Sequence, residues 1–321
     1  MKTFILKRFL HMIPLLLGIT FFSFMIISMA PGDYLTTMSQ NPQIKAETIT
    51  AMRLKFGLDQ PWYIQYVKWL WNAIHLDFGY SFANQIAVFT LIKAKMLNTL
   101  ILALSAALFA WGLSIPLGIV SAVRQNTWVD RSASFVSFIG LSIPEVFFAL
   151  LMVLFAAKTG LFPVGGMKSI DFEYMSYGGQ ILDLLHHLIL PTIVLGSISL
   201  AGRMRQMRAN LLDTLRQDYI QTARAKGLSE RVVTYKHALR NAINPLITLF
   251  GFTLADLLSG AFLVEVIMNW PGLGRLTLDA LFARDLYLVM GSLLMASVML
   301  ILGNLAADIM LALSDPRIRY E

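Results

Sequence analysis

The 321-residue sequence predicts an all-α membrane protein of six transmembrane helices with both termini in the cytoplasm. Three observations carry that prediction. Hydrophobic residues fill 57% of the chain and charged residues only 14%, where an ordinary soluble domain is about one quarter charged. The apolar residues gather in long runs, as a bilayer core spanned by about 20 helical residues demands. The basic residues collect between alternate runs, as the positive-inside rule requires. The net charge of +7 is therefore a matter of topology rather than of nucleic-acid binding.

The first run is Phe9–Ala30, preceded by Lys2, Lys7 and Arg8. Its Ser28-Met29-Ala30 end resembles a signal-peptidase site, but the run is too long for a secretory h-region and Pro31 follows at once. It reads as a retained anchor. Further spans read as Thr99–Val123, Ser132–Ala157, Ile181–Gly202, Pro245–Met268 and Leu286–Leu313. Asp183, His186 and His187 crowd the outer end of the fourth, leaving only Leu188–Gly202 cleanly apolar. Pro116, Pro144 and Pro191 interrupt spans and Pro245 opens one; each can kink a helix where neighbours satisfy the freed carbonyl. In this arrangement sixteen of the 26 Lys and Arg residues lie on the cytoplasmic side and none lies inside a span.

These boundaries give an N-terminal segment with the first transmembrane helix (1–30), an extracytoplasmic loop (31–98), a five-helix transmembrane core (99–313) containing a cytoplasmic segment (203–244), and a cytoplasmic tail (314–321). The loop is expected to be partly helical. In FGLDQPWYIQYVKWLWNAIHLDFGYSF (Phe56–Phe82), Asp59 marks a helix start, and Trp62, Tyr66, Trp69 and Ala73 share one face. Such a helix anchors at headgroup depth; the alternative is a lip that receives a soluble partner or substrate.

Asp218–Pro245, DYIQTARAKGLSERVVTYKHALRNAINP, is the most informative stretch. From Arg203 to Arg240 nine cations (Arg203, Arg205, Arg208, Arg216, Arg224, Lys226, Arg231, Lys236 and Arg240) oppose only Asp213, Asp218 and Glu230. Asp218 is expected to cap a short helix, Tyr219–Lys226, and Gly227 to stop it in the left-handed conformation. Ser229 then caps a second helix, with Glu230 in its first turn, that runs towards Asn241 and ends before Pro245. Ala223 and Ala225 leave little bulk near the turn. A loop that only sets topology does not need two capped helices. A DNA-binding helix-turn-helix is disfavoured by tethering between adjacent spans. A docking knuckle for a cytoplasmic motor accounts for order, charge and placement together.

Glu145, Asp256, Glu265 and Asp308 fall within or near the ends of apolar spans. A carboxylate at a helix centre costs about 2.5–3.5 kcal/mol, so it needs a partner or a water-filled route. Asp256 is the most central and the first candidate for the pathway or a gate, with Glu145 and Glu265 beside it. Glu145 follows Pro144 and is placed to bind backbone groups freed by the kink; Glu265 belongs near the outer mouth, and Asp308 towards the inner end. His186 and His187 are adjacent, so they point apart on a helix, and no third ligand accompanies them. No metal site is expected. Cysteine is absent, there is no Gly-Lys dipeptide for a P-loop, and neither H-E-x-x-H nor G-x-S-x-G occurs. The chain itself is expected not to be an enzyme.

Four patches make the chain resemble the permease subunits of ABC importers for dipeptides, oligopeptides and nickel: FGLDQPWYIQYVKWLW with DFGYSF, the Asp218–Pro245 stretch, WPGLGRL at Trp270–Leu276, and DPRIRY at Asp315–Tyr320. Relative to the broad importer pattern, Gln221-Thr222 and His237-Ala238-Leu239-Arg240 are the variant of the peptide and nickel branch. The resemblance implies a type I permease fold and a coupling motif at Thr222, Ala223, Arg224, Ala225, Lys226, Gly227, Leu228 and Ser229. It also implies a second homologous permease, two ATP-binding subunits holding the ATP and Mg that this chain lacks, an extracytoplasmic substrate-binding protein, membrane lipid, and no nucleic acid. Dipeptides or oligopeptides are the expected cargo, with nickel complexes or oligosaccharides as alternatives. An ion-coupled secondary carrier is the rival class, but no internal repeat supports it and it leaves the knuckle unexplained.

Overall fold

The computed structural model describes residues 2–314, excepting the side chains of residues 2–9, 248, 251, 254, 255, 307, 308 and 310–314. The DPRIRY patch, the tail beyond residue 314 and the carboxylate of Asp308 lie outside what is described. Helix α1 (Lys2–Met29) follows the first apolar run, and the loop after it carries α2 (Tyr34–Met38), α3 (Ala46–Lys55) and α4 (Trp62–Ile74). A short antiparallel hairpin of β1 (Tyr80–Ser81) and β2 (Ile86–Ala87) leads into α5 (Val88–Val123). Then come α6 (Trp128–Ser142), α7 (Glu145–Thr159), α8 (Tyr177–Leu215), α9 (Asp218–Ala225), α10 (Glu230–Val232), a π-helical stretch (Val233–Ala238) and α11 (Leu239–Ala242). Helices α12 (Asn244–Ile267), α13 (Leu273–Phe282) and α14 (Leu286–Ser314) complete the described residues.

Among the described residues, α1, α5, α8 and α14 are long and apolar enough to cross a membrane, and α6 with α7 adds a fifth span if the bent pair counts as one. That pair corrects the sequence reading. Ser132–Ala157 is not one helix: α6 and α7 meet at 103°. Proline disfavours the α region for the residue before it, and Ile143 takes φ −86° and ψ 121°. The fourth span departs the other way, since α8 runs on to Leu215 as one helix with Pro191 inside it. The first 13 residues of what reads as a separate cytoplasmic segment, 203–215, thus continue a membrane helix.

The chain divides into two compact units, one from the N-terminal end to Thr99 with Pro271–Ile301, the other Leu100–Trp270 with the chain from Leu302. In the first, the aromatic face of α4 packs on α1. Tyr66, Trp69 and Ala73 are buried while Tyr63 and Trp71 are exposed. The Tyr66 hydroxyl lies 3.1 Å from Thr20 Oγ1 and donates to the Leu17 carbonyl at 3.3 Å, with its ring edge-on to Phe21 and Phe24. The shared face is as expected, but its buried part is covered by protein. The helix start differs too: Pro61, not Asp59, is the N-cap, with no side-chain hydrogen bond. Buried Asp285 ties the hairpin to α14, accepting from Ser81 Oγ at 2.7 Å, the Ala83 amide at 3.1 Å and the Leu288 amide at 3.3 Å.

In the second unit α8 is the central rod, packed by α6, α7, α11 and α12. It approaches α5 through glycines. A Cβ on Gly118 would sit 2.8 Å from the Met204 carbonyl oxygen, and one on Gly196 would sit 3.0 Å from the Ala106 oxygen. Small residues are what let membrane helices come this close.

Candidate functional site

The knuckle is built on a buried base. Ile220 and Ala223, one turn apart on α9, are buried with Met207 and Leu211 of α8, Ile119 and Ala122 of α5, and Val233 and Ala238 of the π-helical stretch. The hydrophobic residues at i and i+3 give α9 its inward face, and its outward face carries Gln221, Thr222 and Ala225, all exposed. Gly227 sits at φ +79° with open space where a Cβ would be, so its backbone conformation, not crowding, requires glycine. The turn closes with the Gly227 amide on the Arg224 carbonyl at 2.9 Å and the Leu228 amide on that of Ala223 at 3.4 Å.

Three side-chain contacts stiffen it. Arg224 Nε donates to Glu230 at 2.9 Å across the turn, Asn241 Nδ2 donates to the Tyr219 hydroxyl at 2.8 Å, and Asn210 Nδ2 donates to the Ala242 carbonyl at 3.2 Å. From Ala225 through Val232 every residue is exposed. Leu228, Val232 and Tyr235 are exposed apolar side chains among Lys226, Arg231 and Lys236. An ordered, cationic apex with apolar side chains stands on a fully packed foot.

Two expected caps are corrected. Asp218 is the first residue of α9 rather than its cap; Gln217 holds that position, and no side chain caps the helix. Asp218 instead offers its carbonyl to Thr222 Oγ1 at 3.0 Å, while its carboxylate still stands in the first turn, where the helix dipole favours an anion. Ser229 does occupy the N-cap of α10 with extended backbone, but without a side-chain bond. The second helix reaches its expected length only through the π-helical stretch, an irregularity that no residue type in Val233–Ala238 signals.

The acids separate. Asp256 is 74% exposed and lies 4.0 Å from Arg203, whose Nη2 donates to Thr253 Oγ1 at 3.3 Å. Arg203, placed by the sequence on the cytoplasmic side, therefore reaches along the α8–α12 contact to an acid in the middle of α12. Glu145 opens α7 beside α12: its carboxylate oxygens lie 3.7 and 3.9 Å from where a Cβ on Gly260 would stand. The expectation that it binds backbone freed by the kink fails, because Oε1 is buried and makes no hydrogen bond. Glu265 is fully buried in the same unit, one turn before Trp270, whose amide donates to the Glu265 carbonyl at 2.9 Å. The three do not form one cluster with the knuckle. His187 Nδ1 lies 2.9 Å from the Asp183 carbonyl and 3.5 Å from its carboxylate, and His186 Nε2 lies 2.9 Å from the Leu161 carbonyl. Both rings are thus engaged by protein.

A buried ionic group among the described residues has no signal in the sequence. Asp130, at the start of α6, is 4% exposed and accepts from Arg208 Nε at 2.6 Å, Arg208 Nη2 at 2.8 Å and the Asn126 amide at 2.9 Å, as well as from Ser121 Oγ. Arg208 was read only as part of the topological charge. Its partner lies 78 residues away, and no local pattern joins them.

Comparison with known proteins decides the family. Residues 114–320 match the family model described as binding-protein-dependent transport system inner membrane component, and residues 1–103 match its N-terminal companion. The chain belongs to this family. It is 44% identical over 322 residues to the oligopeptide transport system permease protein AppB of Bacillus subtilis, with all of both chains covered. It is 36% identical over 338 residues to the dipeptide transport system permease protein DppB of Escherichia coli K12 and 35% identical over 322 residues to that strain's glutathione transport system permease protein GsiC, again over the full length of each. A structure of the MetNI methionine ABC transporter in inward-facing conformations shares the fold, with a TM-score of 0.55 at 17% identity over 70% of this chain and 96% of that one. The chain is thus an inner-membrane ABC importer permease of type I fold.

Proposed function

We propose that this permease forms one half of the pathway of an ATP-driven importer for short peptides, oligopeptides foremost, and that a cytoplasmic ATPase seats on the apex around Ala225–Ser229. The cargo follows the printed names of the full-length relatives, of which the 44% identical one is an oligopeptide permease. The observation that carries the docking is the exposed run Ala225–Val232 standing on the buried Ile220 and Ala223. A face so ordered yet uncovered suits a partner, and pressure on it reaches α5 and α8 directly.

The remaining parts follow from that reading. Helices α1, α5, the bent α6 and α7, α8, α12 and α14 make six spans with both termini cytoplasmic; the 24 residues of α12 reach about 36 Å at 1.5 Å per residue. A second homologous permease completes the pathway, two ATPase subunits hold ATP and Mg, and an extracytoplasmic binding protein delivers the peptide. Asp256 faces the pathway or the second permease, because an acid so exposed in the middle of an apolar helix is not stable against lipid. ATP-driven closure of the motors draws the apices together and switches access between the two sides. Gly227→Val tests the dock. A β-branched residue is strained at φ > 0, so the variant is expected to insert normally and to lose ATPase subunits on purification in detergent. Undiminished recovery of the complex would overturn the assignment.

A further inference from the structure

We infer that the Asp130–Arg208 ion pair is the link that carries ATPase-driven movement of the knuckle into the bent α6–α7 pair. The inference rests on the docking reading and adds a route to it. Arg208 lies on the part of α8 that continues below the expected span, next to Met207 and three residues before Leu211, both of which bury the inward face of α9. The arginine is therefore carried by the helix on which the knuckle stands. Its guanidinium grips Asp130 through two hydrogen bonds, and the same carboxylate also holds Ser121 near the end of α5 and the Asn126 amide in the intervening turn.

One carboxylate thus fixes α5, its turn, α6 and α8 at a single point. A bidentate pair resists rotation as well as separation, and breaking a buried pair leaves an uncompensated charge. Above this point α6 touches α8 without a carboxylate fork: Ser137 Oγ on Met204 Sδ at 2.9 Å, Gly140 against Ala201, and the Arg205 guanidinium over the Phe138 ring at 5.2 Å. Such contacts slide. The ionic clamp does not, so it imposes the motion of α8 on the foot of α6. At its other end α6 finishes at Ile143-Pro144, where the 103° bend places Glu145 beside α12. Asp130 and Arg208 are positioning residues acting through that bend.

The absence of cysteine allows a direct test in the assembled complex with its ATPases. Spin labels on cysteines replacing exposed Trp128 of α6 and exposed Leu154 of α7 report the bend. Their distance distribution is compared between nucleotide-free and ATP-trapped states. The nucleotide-dependent change is expected to shrink by about half or more in Asp130→Asn, in Arg208→Gln and, no further, in the double variant, with ATPase activity held within about twofold. A change of full size in the variants, or none in the unaltered complex, would overturn the proposal. Should Asp130→Asn fail to assemble, Arg208→Lys decides, since it keeps the charge but loses the fork; a full-size change there overturns it equally. Failure of the docking reading is seen separately, as complex recovery that survives Gly227→Val.

Discussion

Pro144 and Pro191 both follow aliphatic residues inside apolar runs, yet α6 and α7 meet at 103° while α8 passes Pro191 unbroken from Tyr177 to Leu215. The neighbourhoods differ. Leu190, Pro191, Val194, Leu195 and Gly196 are all buried, and the turn is pinned to α5 by Ser105 Oγ and Thr192 Oγ1 at 2.7 Å. Around Pro144 the side chains of Phe135, Val136, Phe138, Val146 and Phe147 stand exposed. A proline removes one backbone bond in either place. Packing on both flanks decides whether the helix closes over the gap or turns at it.

The comparison can be broken most forcefully on the α8 side. Gly118→Val puts a branched side chain where a Cβ alone would stand 2.8 Å from the Met204 carbonyl oxygen, and overpacking of this kind costs about 1–3 kcal/mol. The expected result is a lower thermal unfolding midpoint in detergent and loss of the straight passage of α8; an unchanged midpoint would mean that the two helices are free to separate. Pro144→Ala probes the other side. It restores an amide donor and lifts the helix penalty of about 3 kcal/mol, so the labels on α6 and α7 should move apart as the pair straightens. Persistence of the bend would shift its cause to the surroundings. Pro191→Ala should do least, changing stability by less than about 1 kcal/mol, because packing already holds that turn in helical form. A large gain there would show that the proline strains α8.

Much of the scaffold was legible because its causes are local. Apolar runs gave the helices, Gly227 gave the left-handed turn, and spacings of three and four residues gave the α4 face that buries Tyr66, Trp69 and Ala73. Helix ends were harder. The charge of Asp183 and the two histidines argued against an early start to α8, but these groups find partners within the protein and the helix begins at Tyr177. The bend at Pro144 was not legible, since Ile143-Pro144 and Leu190-Pro191 differ mainly in what surrounds them. Nor was the Asp130–Arg208 pair, which exists only once α5, α6 and α8 are in place. At the knuckle the left-handed turn was legible, whereas the caps were not, because Asp218 and Ser229 have the right chemistry and form no capping bond.

The open position of Asp256 bears on how such a protein is made. Left as a solitary copy in the bilayer, α12 would offer that acid to hydrocarbon, at about 2.5–3.5 kcal/mol on insertion scales. On the proposed reading, a second permease that supplies water or a partner removes the penalty, so copies made in excess of it are poor residents of the membrane.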